Sequence, residues 1–372
     1  MIYLNNAATS WPKPECVADA IKKSIDDIPS SAHRSGFEEG EGYNCKELLA
    51  KLLKIDNPNN IVYASNATFG LNLAIQGFDF EKGDKILTTK AEHNSVLRPL
   101  YYLQNKNIVE YEMIEVNEEG RIDPNKWEEK IKEIRPKMVV FTHASNVTGA
   151  VNDAKKLSEI AKKYGSVVLL DASQSLGLID VFPEEWNIDM VAFTGHKYLL
   201  GPQGTGGLYI SPKIKLNPLL QGGTGILSDQ DIMPNNMPLM LEAGTPNDTS
   251  FKGLEAALKW EIENPIDINK LNGLINKIKI ELKKLNASVI DVGGKTTPVI
   301  SFTLPNYSVG EVGEILQMSF DIICRSGLHC APKIHECINT YPTGTIRISL
   351  SRFTTEEEVD YFIDSIGKII NE

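Results

Sequence analysis

Ala192-Phe-Thr-Gly-His-Lys-Tyr-Leu-Leu-Gly-Pro-Gln-Gly-Thr-Gly-Gly207 is the stretch on which the reading of this chain turns. A single amine, Lys197, follows Thr-Gly-His and is trailed by four glycines. Glycines permit a tight backbone turn and leave room for a flat ring, and a lysine placed there can trap a carbonyl cofactor. Upstream, the apolar run Val167-Val-Leu-Leu-Asp171 reads as a strand ending in a carboxylate. A carboxylate facing a pyridine nitrogen keeps that nitrogen protonated, so that the ring accepts electrons. Lys197 and Asp171 together therefore suggest pyridoxal phosphate.

Apolar runs of strand length alternate with helical periodicity on both sides of this stretch, the signature of a mainly parallel sheet covered by helices. Strands are predicted over 60–64, 85–89, 108–114, 138–142, 166–170, 190–193 and 207–210. Helices are predicted over 17–24, 40–53, 70–76, 124–133, 153–164, 253–263 and 269–285. Beyond residue 285 shorter strands appear at 288–292, 299–304 and 345–350, with a helix at 309–318 and another from Thr355. The expectation is an α/β protein: a large domain, 15–255, built on a seven-stranded sheet, and a smaller α/β domain made of 1–14 and 256–372.

A formal net charge of -11 and a sequence pI of about 5.2 argue against a phosphate-backbone binder, so no nucleic-acid ligand is expected. Pro12 and Pro14 precede any long apolar run, so neither a signal peptide nor a membrane span is expected and the reading is cytoplasmic. The five cysteines form no CxxC pair, which fits reduced thiols and no metal site.

Several segments that follow strands carry candidate chemistry. Ser65-Asn-Ala-Thr-Phe-Gly70 offers backbone donors and the Thr68 hydroxyl to a phosphate, or simply caps a helix. His93, in Ala91-Glu-His-Asn-Ser-Val96, would stand at the carboxyl edge of the sheet, stacked on a pyridine ring or solvated in a loop. Asn146 could donate to a cofactor ring or a substrate carboxylate, or stabilise its own turn. Gln174, three residues past Asp171, could donate to a ring phenolate, and Thr194 and His196 flank Lys197 closely enough to reach one phosphate. In Cys324-Arg-Ser-Gly-Leu-His-Cys-Ala-Pro332, Cys330 neighbours Arg325 and is a candidate nucleophile, whereas Cys16, Cys45 and Cys324 read as small buried hydrophobes. Arg347 could hold a carboxylate in a bidentate fork. Gly293-Gly-Lys-Thr296 is not a phosphate loop, because Val289 occupies the position of its first glycine.

In this order, these segments resemble the class V aminotransferase branch of fold-type I pyridoxal-phosphate enzymes, and within it the type II cysteine desulfurases and selenocysteine lyases. The likeness runs nearly end to end. It includes Tyr3-Leu-Asn-Asn-Ala-Ala-Thr9 as an opening strand, His33-Arg34 as an early pair, and Glu242-Ala-Gly-Thr-Pro-Asn247 as a segment lent to the phosphate site by a second subunit. The resemblance implies a homodimer. It implies Lys197 as the Schiff-base lysine, Asp171 on the pyridine nitrogen, Gln174 on the ring hydroxyl and His93 over the ring. Ala67, Thr68, Thr194, His196 and the partner-borne Thr245 would hold phosphate, and Asn146, Arg325 and Arg347 the substrate carboxylate. Cys330 would attack the substrate sulfur. Leu328 and Phe69 depart from the residues common in that branch.

The activity so implied is conversion of L-cysteine to L-alanine with a persulfide on Cys330, passed to an acceptor protein or small thiol. Selenocysteine lyase is the nearest alternative. Another is a class V transaminase, epimerase or β-lyase in which Cys330 is a bystander. A sulfur-relay scaffold without catalysis is the reading outside enzymes.

Overall fold

In the computed structural model, which describes residues 1–27, 43–225 and 229–371, the strands run in chain order as follows. β1 is Ile2–Tyr3, β2 Ile61–Ala64, β3 Asp84–Thr89, β4 Val109–Ile114, β5 Met138–Thr142, β6 Val167–Asp171, β7 Met190–Thr194 and β8 Gly206–Ile210. β9 is Ser288–Val289, β10 Val299–Thr303, β11 Ile322–Ile323, β12 Arg325–Gly327 and β13 Thr345–Ser349. The helices that bear on the site are α1 (Glu15–Asp26), α2 (Tyr43–Leu53), α3 (Ala67–Gln76) and α4 (Asn94–Asn105).

Seven strands form one sheet in the order β2-β8-β7-β6-β5-β3-β4. β8 is antiparallel to both its neighbours, and the other pairings are parallel. Successive side chains of a strand point to opposite faces, and here both faces are covered. Val139, Phe141, Leu170 and Phe193 enter the core on one side, while Met138, Val140, Leu169 and Ala192 enter a second core on the other. This double burial is why the strands read as uninterrupted apolar runs.

A second sheet, β12-β13-β10-β9, is antiparallel and packs its own core around Ile300, Phe302, Ile346 and Phe362. Leu4 joins that core, and β1 pairs in parallel with β11, so the start of the chain is stitched to its last third.

The structure revises several local expectations, among them the start of the helix expected over 253–263, which begins at Asp248. No helix is expected over residues 94–105, yet Asn94–Asn105 forms one; buried Val96, Leu100 and Leu103 hold it against the sheet despite Pro99 inside it. α3 starts at Ala67 rather than near Gly70, since Asn66 is its N-cap, its side chain accepting from Phe69 N–H at 2.9 Å. The strand expected over 288–292 is only Ser288–Val289. A short helix at Ile334–Cys337 had no periodic signal to announce it. His33-Arg34 lies outside the described residues. Among those described, no helix is long and apolar enough to cross a membrane.

Candidate active site

The segments following the carboxyl ends of β2, β3, β5, β6 and β7 converge on one cavity, the place where open α/β sheets put ligands. At one end α3 opens into it. With Asn66 capping Phe69, the first-turn N–H groups of Ala67 and Thr68 have no acceptor within the helix, and both residues line the cavity. Thr194 and His196 line it too. Residues before α1 hold this turn in place: the His196 carbonyl accepts from the Ser10 N–H at 2.9 Å and the Thr9 hydroxyl at 3.1 Å. Burial, with the nearby Lys197 charge, pushes the His196 imidazole down to about 4, and its Nδ1 is buried without a partner.

The glycines after Lys197 do not provide clearance for a ring in this cavity. None of them lines the cavity. A Cβ on Gly206 would stand 2.7 Å from the Phe193 carbonyl oxygen and 2.8 Å from Asn66 Cα. The glycine thus lets β8 pass close beside β7 and under the start of α3, which fixes that helix end beside the lysine turn.

The Lys197 amine has no hydrogen bond or ion pair among the described residues, and burial pulls it down to about 8. Asp171 opposes that shift and Arg347 and Arg325 add to it. The Asp171 carboxylate is buried, with one oxygen engaged by the Ser173 N–H at 2.9 Å and the Ser173 hydroxyl. Its other oxygen has no donor among the described residues. Gln174 donates its Nε2 to the Ala7 carbonyl at 2.9 Å, leaving a second N–H and a buried, unpartnered Oε1. His93 is the N-cap of α4: its Nδ1 accepts the Ser95 N–H at 3.1 Å, which puts the ring proton on Nε2. Burial, reinforced by Lys197, holds this imidazole down at about 4, so it is neutral near pH 7.

The small sheet supplies the opposite wall. Arg325 and Arg347 are direct cross-strand partners on β12 and β13. Like charges in register are unfavourable, and neither has a carboxylate partner among the described residues. Arg347 is 1% exposed; burial, with Arg325 next in size, lowers it to about 10. It donates to the Asn146 carbonyl at 2.9 Å and to Asn5 Oδ1 at 3.1 Å, and its Nε is unpartnered. Asn146 in turn donates its side-chain N–H to the His329 carbonyl at 2.7 Å.

Arg325 reaches the other way, donating from Nη2 to Cys330 Sγ at 3.1 Å. The loop holds this sulfur with a strained backbone: His329 and Cys330 are consecutive non-glycine residues at φ 51 and 60°. The Cys330 carbonyl accepts from Asn94 N–H at 2.7 Å, and His329 Nε2 meets the Thr345 carbonyl at 3.0 Å. Cys45, by contrast, is buried among apolar groups and its thiol is pushed up to about 12.

Arg347→Lys tests the carboxylate fork. Lysine keeps the charge but not the planar pair of donors, so we expect the KM for an amino-acid substrate to rise at least about tenfold with kcat less affected. Steady-state kinetics would check this, and an equal loss in both parameters with a lowered melting temperature would mean the residue only holds the fold.

Every expected site residue therefore meets at this cavity or its wall except Thr245, which is exposed and does not line it. Its segment is anchored from within: Glu242 accepts from Lys46 Nζ at 2.8 Å and from the Tyr63 N–H at 2.6 Å. Asn5, Ala7, Ser95 and Ser173 were missed by the sequence reading, although the Asn5-Asn-Ala-Ala run offered a signal for the first two. Glu92 was missed as well. It is fully buried, accepts from the Thr89 hydroxyl at 2.6 Å, and burial, with Asp171 adding, raises its carboxyl to about 8.

A mainly parallel sheet with a lysine, a buried aspartate and a helix N-terminus around one cavity places the chain among enzymes of the fold-type I class. The family model for aminotransferase class-V matches residues 2–362, and the chain belongs to that family. A probable cysteine desulfurase of Pyrococcus abyssi is 31% identical, over 100% of this chain and 94% of its own length. One from Methanothermobacter thermautotrophicus is 30% identical, over 99% and 94%. The apo structure of a cysteine desulfurase from Thermococcus onnurineus superposes with a TM-score of 0.89 at 30% identity, covering 100% of this chain and 94% of that one. The cysteine desulfurase CsdA of Escherichia coli gives 0.87 at 26% identity, covering 99% and 94%.

Proposed function

We propose that this protein is a pyridoxal-phosphate-dependent cysteine desulfurase, a cytoplasmic homodimer that converts L-cysteine to L-alanine and carries the sulfur on Cys330 for an acceptor protein or small thiol. The observation that carries the reading is the pair of opposed arginines: Arg347, buried without an acid among the described residues, faces the cavity, and Arg325 beside it holds the Cys330 sulfur. One guanidinium thus awaits a carboxylate while its neighbour presents a sulfur nucleophile.

The residues present fit the cofactor. Lys197 has a free amine for its aldehyde carbon, and Asp171 a free oxygen for its ring nitrogen. Gln174 keeps an N–H for the ring hydroxyl, and His93 would lie over the ring. The N–H groups of Ala67 and Thr68, with Thr194 and His196, would take the phosphate, joined by Thr245 of a second copy. When bound, pyridoxal phosphate supplies an electron sink for the α-carbon of the amino acid.

The chain's own groups do the rest. Arg347 and Asn146 orient the substrate by its carboxylate. Lys197, whose amine is neutral above about pH 8, takes the proton from the α-carbon and returns one later. The Cys330 thiolate attacks the substrate sulfur: the new S–S bond forms, the carbon–sulfur bond breaks, and its electron pair stays with the β-carbon, which is protonated to give alanine. The net change is cysteine plus enzyme thiol to alanine plus enzyme persulfide, with no external oxidant or reductant.

A single turnover with L-cysteine tests this. We expect one alanine per protein chain and one added sulfur on the peptide bearing Cys330, read by mass spectrometry. Pyruvate in place of alanine, or alanine without sulfur on that peptide, would sink the reading in favour of a lyase or transaminase.

A further inference from the structure

A cleft of about 470 Å³ leads away from the cavity between α3 and α4, within the size range of small-molecule sites. Thr68, Asn72 and Gln76 form its α3 wall, and Asn94, Arg98 and Tyr102 its α4 wall. The spacing of four places each set along a single face of its helix. Hydrogen bonds set the first wall: Asn72 donates to the Thr68 carbonyl at 2.8 Å and Gln76 to Asn72 Oδ1 at 2.5 Å.

Cys330 and His93 close the head of the cleft. Cys330 lines the cleft and not the inner cavity, whereas its partner Arg325 lines the cavity and not the cleft. The sulfur thus stands in the wall between two chambers. His93 being neutral, Arg98 is the one charged side chain lining the cleft, and it has no hydrogen bond or ion pair among the described residues. It lies one helical turn, about 6 Å, along α4 from Asn94, which binds the Cys330 carbonyl.

We propose that this cleft is the acceptor site, and that it takes a small thiol bearing a carboxylate, with the thiol toward Cys330 and the carboxylate on Arg98. The proposal rests on the desulfurase reading. In the step it serves, the acceptor thiolate attacks the outer sulfur of the Cys330 persulfide. One S–S bond forms, the other breaks, and the electron pair returns to Cys330 as thiolate, so the balance needs no other reagent.

The test uses the cofactor-loaded full-length protein, charged with L-cysteine and freed of excess. Loss of the added sulfur from Cys330 is then followed with 3-mercaptopropionate and with uncharged 2-mercaptoethanol. Arg98→Glu should slow transfer to mercaptopropionate roughly fivefold while transfer to mercaptoethanol stays within about twofold. Arg98→Lys should restore the preference, and high salt should erase it in the wild type. The same rates for both thiols in the wild type and Arg98→Glu, or an equal fall for both, would overturn the assignment and leave the cleft to a protein acceptor or a second copy. Failure of the wild type to charge Cys330 at all would instead count against desulfurase activity and remove the proposal with it.

Discussion

Cys330→Ala should cut alanine formation from L-cysteine by about 10³-fold or more, while the purified protein stays yellow and borohydride still fixes the cofactor to Lys197. The separation of effects follows from the architecture. Lys197, Asp171 and the phosphate-facing end of α3 belong to the large sheet and its loops, whereas Cys330 sits on a loop of the small sheet, its sulfur held at the cavity wall by Arg325. Removing the sulfur deletes the nucleophile and leaves the cofactor residues in place. Consecutive left-handed residues at His329 and Cys330 show that this loop holds its shape at a cost in backbone strain, offset by the Asn94 and Thr345 contacts. The same variant separates the competing substrates. Selenium leaves carbon more readily than sulfur, so a selenocysteine lyase would keep much of its selenium release without the thiol. Near-equal loss with cysteine and selenocysteine supports the desulfurase; unchanged turnover of cysteine would make Cys330 a bystander.

How far the chain could be read in advance depended on whether each signal was local. All seven strands of the large sheet were placed within one residue at either end, because burial of both faces writes itself as a continuous apolar run. The post-strand positions of His93, Asn146, Asp171 and Lys197 followed from the same pattern, since parallel strands bring their carboxyl ends to one edge. Pairing across the small sheet left no such mark. Arg325 and Arg347 are 22 positions apart, 347 less 325, and nothing local announces that they face one another. Nor does anything announce that Asn5, at the far end of the chain, holds Arg347. α4, with Pro99 in its interior, was not among the expected helices, and the cleft that α4 walls was missed with it. Of the glycines after Lys197, Gly204 makes the tight turn that was expected, at φ 84°, whereas Gly206 relieves crowding between β8, β7 and the start of α3, a contact between segments distant in sequence.

Lys197→Ala should abolish turnover, by about 10³-fold or more, and with it any adduct recovered after hydride reduction, because one amine both anchors the cofactor and moves the α-proton. The wild-type amine should also carry a distinct pH signature. A group held down at about 8 is neutral over the range in which a solvated lysine, near 10.5, is still charged. In the apoprotein, competitive acetylation of Lys197 should therefore rise through about pH 8 and level off, while exposed lysines keep gaining reactivity to higher pH. Burial is the main cause of that shift, and the Asp171 charge works against it. Asp171→Asn should consequently move the Lys197 midpoint further down, not up, since neutralising the aspartate removes the strongest nearby influence favouring the ammonium form. A midpoint near that of the surface lysines would mean the cavity is wetter than its geometry implies, and an upward move in Asp171→Asn would reverse the assignment of Asp171 as the counter-charge beneath the lysine.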